Sequence, residues 1–143
     1  MKSNPINVLF LDFDGVLHPK MNGTFEHMDN LKKVLDKYPQ IDIVISSSWR
    51  FSMDAASTEM LFGKYSSRVI GATPNLIDTT RQYEILDYVA KNKIRKFFTI
   101  DDDARGNHFN KACYWLFKTD FFKGFTAEEV ERLSIFLHEM FGV

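Results

Sequence analysis

The chain has one cysteine, Cys113, in 143 residues, which excludes an internal disulfide, and no Cys/His cluster offers a zinc site. Four prolines and seven glycines leave no Pro/Gly/Ser-rich linker, and no internal repeat or low-complexity tract stands out. No apolar run approaches the roughly 20 residues that span a bilayer. The start, MKSNPINVLF, lacks a basic segment followed by a long apolar one. A soluble protein of a reducing compartment, cytoplasmic and without a membrane partner, is the expectation. Charge of one sign is also lacking: 18 basic residues against 19 acidic give a formal net charge of −1. No global field therefore draws the chain to nucleic acid or anionic lipid, although a local basic patch is compatible with these totals.

What the chain does have is apolar mass. Hydrophobic residues make up 45% and aromatics 15%, with fourteen phenylalanines, which suits a packed globule. The length is that of one domain, residues 1–143. Residues 8–13 form a short apolar run ending in carboxylates, as expected of a strand buried on both faces. Asn22-Gly23 marks a tight turn, and the flanking residues predict a small flap hairpin at about 15–25. Helical spacing of Met28, Leu31, Val34, Leu35 and Tyr38 predicts a helix over 26–38, stopped by Pro39.

Residues 41–45 form a second strand candidate, a helix is expected at about 54–65, and 68–71 form a shorter strand. Thr79 or Thr80 can cap a helix running to about Asn92, with Ile85, Leu86 and Val89 on its inner face. Strands follow at 96–100 and 114–118, and Thr126 with Glu129 predicts a capping box before a helix bearing Val130, Leu133, Phe136, Leu137 and Met140. The Phe-rich segment 121–125 is expected to serve packing; His108 and Cys113 receive no role. Strands alternating with helices imply an α/β fold with a mainly parallel five-stranded sheet covered on both faces. Ligands of such sheets bind beyond the carboxyl ends of the strands.

Three strand ends carry reactive residue types: Asp12-Phe13-Asp14-Gly15, then Ser46-Ser47-Ser48-Trp49-Arg50, then Asp101-Asp102-Asp103. In a parallel sheet these ends share one edge, so five carboxylates crowd one crevice. Two unit charges about 4 Å apart repel by roughly 4 kcal/mol at an effective dielectric of 20. A hard divalent cation relieves this, and an oxygen-only donor set points to Mg2+ ahead of zinc. Residues two apart on an extended strand face the same side, so Asp12 and Asp14 can address one reacting centre, one attacking while the other moves a proton.

The run Asp12-Phe13-Asp14-Gly15-Val16-Leu17 resembles the first motif of the haloacid dehalogenase-like phosphatases, and the Ser and Asp clusters follow in that family's order from about Val8 to Asp103. The resemblance implies a three-layer Rossmann-like fold and a magnesium-dependent phosphohydrolase acting through an aspartyl-phosphate. It implies that Asp12 is the nucleophile, that Asp14 protonates the leaving oxygen and then activates water, and that Asp12, Asp14 and Asp102 hold Mg2+. Asp101 and Asp103 would stand one shell further out. Ser46 is the assignment for the phosphate-binding hydroxyl, with Ser47 as competitor. The family's usual Lys is matched by Arg81, whose fork can bind two phosphate oxygens.

Only about 25 residues separate the first motif from the second strand, which leaves no room for a large cap domain, so the site is expected to be open. The wording Leu11-Asp12-Phe13-Asp14-Gly15-Val16-Leu17-His18-Pro19, with Ser47-Ser48-Trp49-Arg50 and Ile100-Asp101-Asp102-Asp103, resembles a small capless branch linked to RNA-repair proteins. That implies a nucleic-acid or nucleotide phosphate end as substrate. Arg50 and His18 are candidate substrate contacts, and Trp49 is either packing or a base platform. Two alternatives belong to other classes: a receiver-like module that only accepts phosphate, whose usual motif order this chain fits poorly, and an inert partner-binding subunit. Oligomeric state is not readable from these features.

Overall fold

The computed structural model describes residues 7–143. Five strands form one sheet: β1 (Val8–Leu11), β2 (Asp42–Ile45), β3 (Val69–Ala72), β4 (Phe97–Asp101) and β5 (Leu116–Lys118). All pairings are parallel, in the order β3-β2-β1-β4-β5. The helices are α1 (Met28–Lys37), α2 (Ala55–Phe62), α3 (Arg81–Lys91) and α4 (Ala127–Phe141). The expected α/β, Rossmann-like architecture without a large cap is present.

Every residue of β1 is buried, because the strand lies at the centre of the sheet and both its faces are covered. Leu9 and Leu11 point into one apolar cluster with Leu31 and Leu35 of α1 and Leu133 and Leu137 of α4. Val8 and Phe10 point into the other, with Ile85 of α3, Phe109 and Trp115. This period-2 division makes three layers from one strand. From β1 the chain winds outward through β2 and β3, then returns to place β4 on the other side of β1. The strand order reverses between β1 and β4, and that is where such sheets open a crevice for ligands.

Several local expectations need correction. The first strand ends at Leu11, before the carboxylates. Residues 15–25 make no flap hairpin: apart from one isolated bridge between Asp14 and His18 they are turns and irregular chain. The physical reason is competition for backbone groups. Gly15 N–H bonds Lys20 O at 2.8 Å, Leu17 N–H bonds Phe13 O at 2.8 Å, and Lys20 N–H bonds Phe121 O at 2.7 Å. Asn22 Oδ1 accepts from both Thr24 N–H and its hydroxyl at 3.0 Å, so a side chain replaces the ladder that a hairpin would need.

The second helix stops at Phe62, followed by a 3-10 stretch over Gly63–Arg68. Thr80, not Thr79, caps α3. On α3, Leu86 faces solvent, while Ile85 and Val89 pack inward as expected and Glu84 is buried beside them. Thr126 makes no side-chain cap bond, so the capping box is absent; Glu129 pairs with Arg132 instead. Of the Phe-rich segment, Phe125 is fully buried but Phe122 is exposed.

Arg68 closes the end of α1 from outside. Its guanidinium donates to Leu35 O at 2.8 Å, Tyr38 O at 2.7 Å and Ile41 O at 2.9 Å, satisfying carbonyls where the helix gives out. Arg68→Ala is expected to lower the unfolding free energy by about 2–3 kcal/mol, and Arg68→Lys to restore less than half, since an ammonium cannot reach three carbonyls in fork geometry. Urea unfolding measures this; a loss below about 0.5 kcal/mol would show that water replaces the guanidinium without cost.

Candidate active site

Asp12 is the first residue past β1, and its N–H bonds Ile100 O at 3.1 Å, which fixes it against β4 at the point where the sheet order reverses. Asp101 ends β4 and Asp102 follows it. One carboxylate oxygen from each of Asp12, Asp101 and Asp102 lies within 4.8 Å of the others, and all three residues are buried. Gly15 makes the approach of Asp102 possible. It has φ +71°, and a Cβ there would stand 2.8 Å from the Asp102 carboxyl carbon and 3.0 Å from Phe121. Thr119 pins this turn by donating to Gly15 O at 2.6 Å.

Arg81 is the first residue of α3, presented toward the sheet edge because Thr80 caps the helix immediately before it. Its Nη1 stands 3.2 Å from Asp12 Oδ1 and 3.0 Å from Asp101 Oδ2. Burial pushes the Asp12 carboxyl well above the ordinary carboxylate range; Asp101 pushes it further and Arg81 opposes both. Burial also raises Asp101, against the pull of Arg81. Burial alone would lower Arg81, but Asp12 and Asp101 outweigh it and hold the guanidinium above its ordinary value. Three carboxylates facing one guanidinium leave two negative charges unbalanced when all are ionised. The donors are oxygen only, so the deficit fits a hard divalent cation.

The clustered set differs from the sequence expectation, which placed Asp14 among the metal ligands and Asp101 further out. The Asp14 carboxylate is not among the oxygens of that cluster and has partners of its own. Its Oδ1 accepts from His18 Nε2 at 2.7 Å and Trp49 Nε1 at 3.0 Å. Asp103 also faces away, accepting His108 N–H at 3.1 Å, with Asp103 N–H bonded to Asp101 Oδ1 at 2.8 Å.

Ser46 and Ser47 part company. Ser46 N–H continues the ladder to Leu11 O at 2.8 Å, placing it beside the residue that precedes Asp12. Its hydroxyl is buried and has no bonding partner among the described residues. The Ser47 hydroxyl is occupied, accepting Trp49 N–H at 3.2 Å as the cap of the following 3-10 turn.

The two candidate substrate contacts turn inward. The Arg50 side chain is 7% exposed; it bonds Ser47 O at 2.8 Å and stands 3.4 Å from Glu84. The His18 side chain is 0% exposed and meets Asp14. Trp49 is no base platform, for it packs on Phe13 and Phe25. Glu84 escaped the sequence reading. Buried in the first turn of α3, it accepts Leu76 N–H at 3.0 Å and pairs with Arg50, tying three loops together behind Arg81. Nothing in its spacing distinguishes it from an ordinary exposed helix acid.

The strand order, the acidic group at the reversal point and the arginine at the head of α3 together define a haloacid dehalogenase-like (HAD) domain. Residues 8–130 match the family described as the HAD domain in Swiss Army Knife RNA repair proteins, and the chain belongs to that family. No curated protein and no solved structure matches the chain.

Because the folded Asp12 carboxyl sits above its unfolded value of 3.8, its ionisation costs folding free energy in the metal-free protein. That cost grows as pH rises from the unfolded value through the folded one, and below both it vanishes. In chelator at pH 7, Asp12→Asn is therefore expected to melt about 3–8 °C above the parent, the gap closing as pH falls toward 4. Coincident melting curves across that range would contradict the buried-charge account.

Proposed function

We propose that this HAD-type phosphohydrolase domain hydrolyses phosphomonoesters through a covalent aspartyl-phosphate on Asp12. The observation that carries the reading is the setting of Asp12: a buried carboxylate at the head of the central strand, paired to Arg81, beside Asp101 and Asp102 and next to the unpartnered Ser46 hydroxyl. A nucleophile, a fixed cation and a free donor at one crevice are what phosphoryl transfer needs.

In the first half-reaction an Asp12 carboxylate oxygen forms a bond to phosphorus while the bond to the leaving oxygen breaks, and Asp14 gives that oxygen its proton. In the second, Asp14 takes a proton from water, the water oxygen bonds to phosphorus, and the bond to Asp12 breaks, restoring the carboxylate and releasing phosphate. Arg81 and Ser46 hold the transferring phosphoryl oxygens by charge and hydrogen bond. Magnesium, typical of the family, would be held by Asp12 and Asp102 with Asp101 alongside, and when bound it supplies positive charge that screens the carboxylates and the phosphate from each other.

The rim supports a nucleic-acid end as substrate. Lys20 Nζ lies 5.3 Å over the Phe122 ring, Met21 and Phe122 are exposed, and Lys20 is tethered to Phe121, whose ring borders Gly15 beside Asp102. Exposed aromatic and cationic groups beside a phosphate site suit an unpaired strand, stacking on its bases while its end enters the crevice. The family's occurrence in RNA repair proteins favours RNA.

With an aryl phosphate and magnesium, turnover is expected, lost on chelation and lost in Asp12→Asn. Ser46→Ala should reduce kcat/KM roughly 100-fold, whereas Ser47→Ala should leave the rate near that of the parent and cost about 1 kcal/mol of stability as a lost cap. Activity persisting in Asp12→Asn would remove the proposed nucleophile. On a 3′- or 5′-phosphorylated RNA oligonucleotide, Phe122→Ala is expected to raise KM by about tenfold without changing the rate on aryl phosphate. An equal effect on both substrates would show that the rim does not touch nucleic acid.

A further inference from the structure

Asp14 is held in a way that the HAD reading alone does not require. Its Oδ1 receives two contacts, from His18 Nε2 at 2.7 Å and Trp49 Nε1 at 3.0 Å, while no protein donor among the described residues bonds Oδ2. Indole nitrogen is a donor only, so Trp49 places an N–H on Oδ1 whatever the state of the carboxyl group. The imidazole could in principle donate or accept, and its own burial decides. His18 Nδ1 is buried without a partner among the described residues, and the His18 and Phe25 rings stand at right angles with their centroids 4.7 Å apart. A hydrogen on Nδ1 would be a buried donor without an acceptor. A bare lone pair there costs less, so the tautomer that fits this pocket carries its hydrogen on Nε2, pointing at Asp14.

Two N–H groups then occupy the lone pairs of Oδ1, and neither lone pair remains for a proton. We propose that His18 and Trp49 are positioning residues that clamp Oδ1 of Asp14 and so make Oδ2 the oxygen through which Asp14 delivers and collects its proton. This rests on the reading of Asp14 as the general acid and base given above. The clamp also stops rotation of the carboxyl group, which would otherwise exchange the two oxygens and turn the acidic one away from the leaving group. Both donors are rigidly backed. Trp49 packs on Phe13 and Phe25 and lies 3.8 Å from where a Gly23 side chain would begin, and the bridge between Asp14 and His18 holds their backbones together.

The experiment is the leaving-group dependence of kcat/KM, which reports the steps up to transfer of the phosphoryl group to Asp12. The substrates are a series of substituted phenyl phosphates and one alkyl phosphate, and the variants are Trp49→Phe and His18→Phe, which delete the N–H while keeping a ring, and Asp14→Asn. A good leaving group departs without a proton and a poor one does not. Trp49→Phe and His18→Phe are expected to slow the alkyl phosphate by roughly tenfold or more while changing the nitrophenyl phosphate less than about threefold, in the same sense as Asp14→Asn but to a smaller extent. Should His18→Phe fail to fold, Trp49→Phe carries the decision. Equal losses on all substrates, or none, in the clamp variants beside a steepened dependence in Asp14→Asn overturn the clamp and leave the role of Asp14 standing. A dependence left flat in Asp14→Asn overturns that role and the clamp with it.

Discussion

Asp12, Asp101 and Asp102 are brought out of water at the place where they also stand closest together, and a fold that does this must supply positive charge or lose stability. The repulsion between such groups is several kcal/mol per pair at the dielectric of a protein crevice, comparable to the net stability of a domain. Much of the surrounding architecture answers that constraint. Arg81 is aimed at Asp12 and Asp101 from the first position of α3, and the Thr80 cap fixes where that position falls. Glu84 in the same first turn pairs with Arg50 and braces the loop before α3, and among the described residues Arg81 is the guanidinium in ion-pair contact with Asp12. The charge still missing is the most direct physical argument for a divalent cation, independent of family membership.

Two aspartates separated by one residue end in different surroundings, and this is the second organising feature. Asp12 continues the line of β1 into the acidic group, whereas the Asp14 carboxylate meets the ring nitrogens of His18 and Trp49. Paired carboxyl groups in unlike settings are how one site runs attack and proton transfer together. The turn at Gly15, taken with positive φ immediately after Asp14, clears the space that Asp102 occupies.

The rim follows from the lack of a cap. With a chain of turns over residues 15–25, Lys20, Met21 and Phe122 stand at the surface of the loops after β1 and β5, and Phe121 borders Gly15 beside Asp102. On the proposed reading, such an open mouth suits the end of a polymer better than a small metabolite, which would need to be enclosed.

Strand and helix order, the parallel sheet and the identity of the chemical residues were legible from sequence because each rests on local information: buried runs of the right length, helical spacing, and acids placed where strands end. Asp12, the serine run and the Asp101-Asp102-Asp103 run were read this way, whereas Arg81 and the choice of Ser46 came from the resemblance to the family's motifs. Which side chains meet was not legible. Asp101 joins the acidic group and the Asp14 carboxylate finds other partners, and neither is written in the Asp-x-Asp spacing. Ser46 and Ser47 are alike as residues and were separated only when Trp49 N–H claimed one hydroxyl and left the other free. His18 and Arg50 read as candidate substrate contacts and lie inside the fold, and Trp49, open between packing and stacking on bases, packs on Phe13 and Phe25. By itself the sequence determined the fold and the inventory of reacting groups, through periodicity and burial acting along the chain. Tertiary structure decided the pairing of those groups, because hydrogen bonds and charge balance are settled between segments far apart in the chain, as in Asp12 and Asp101, 89 residues apart and bridged by Arg81.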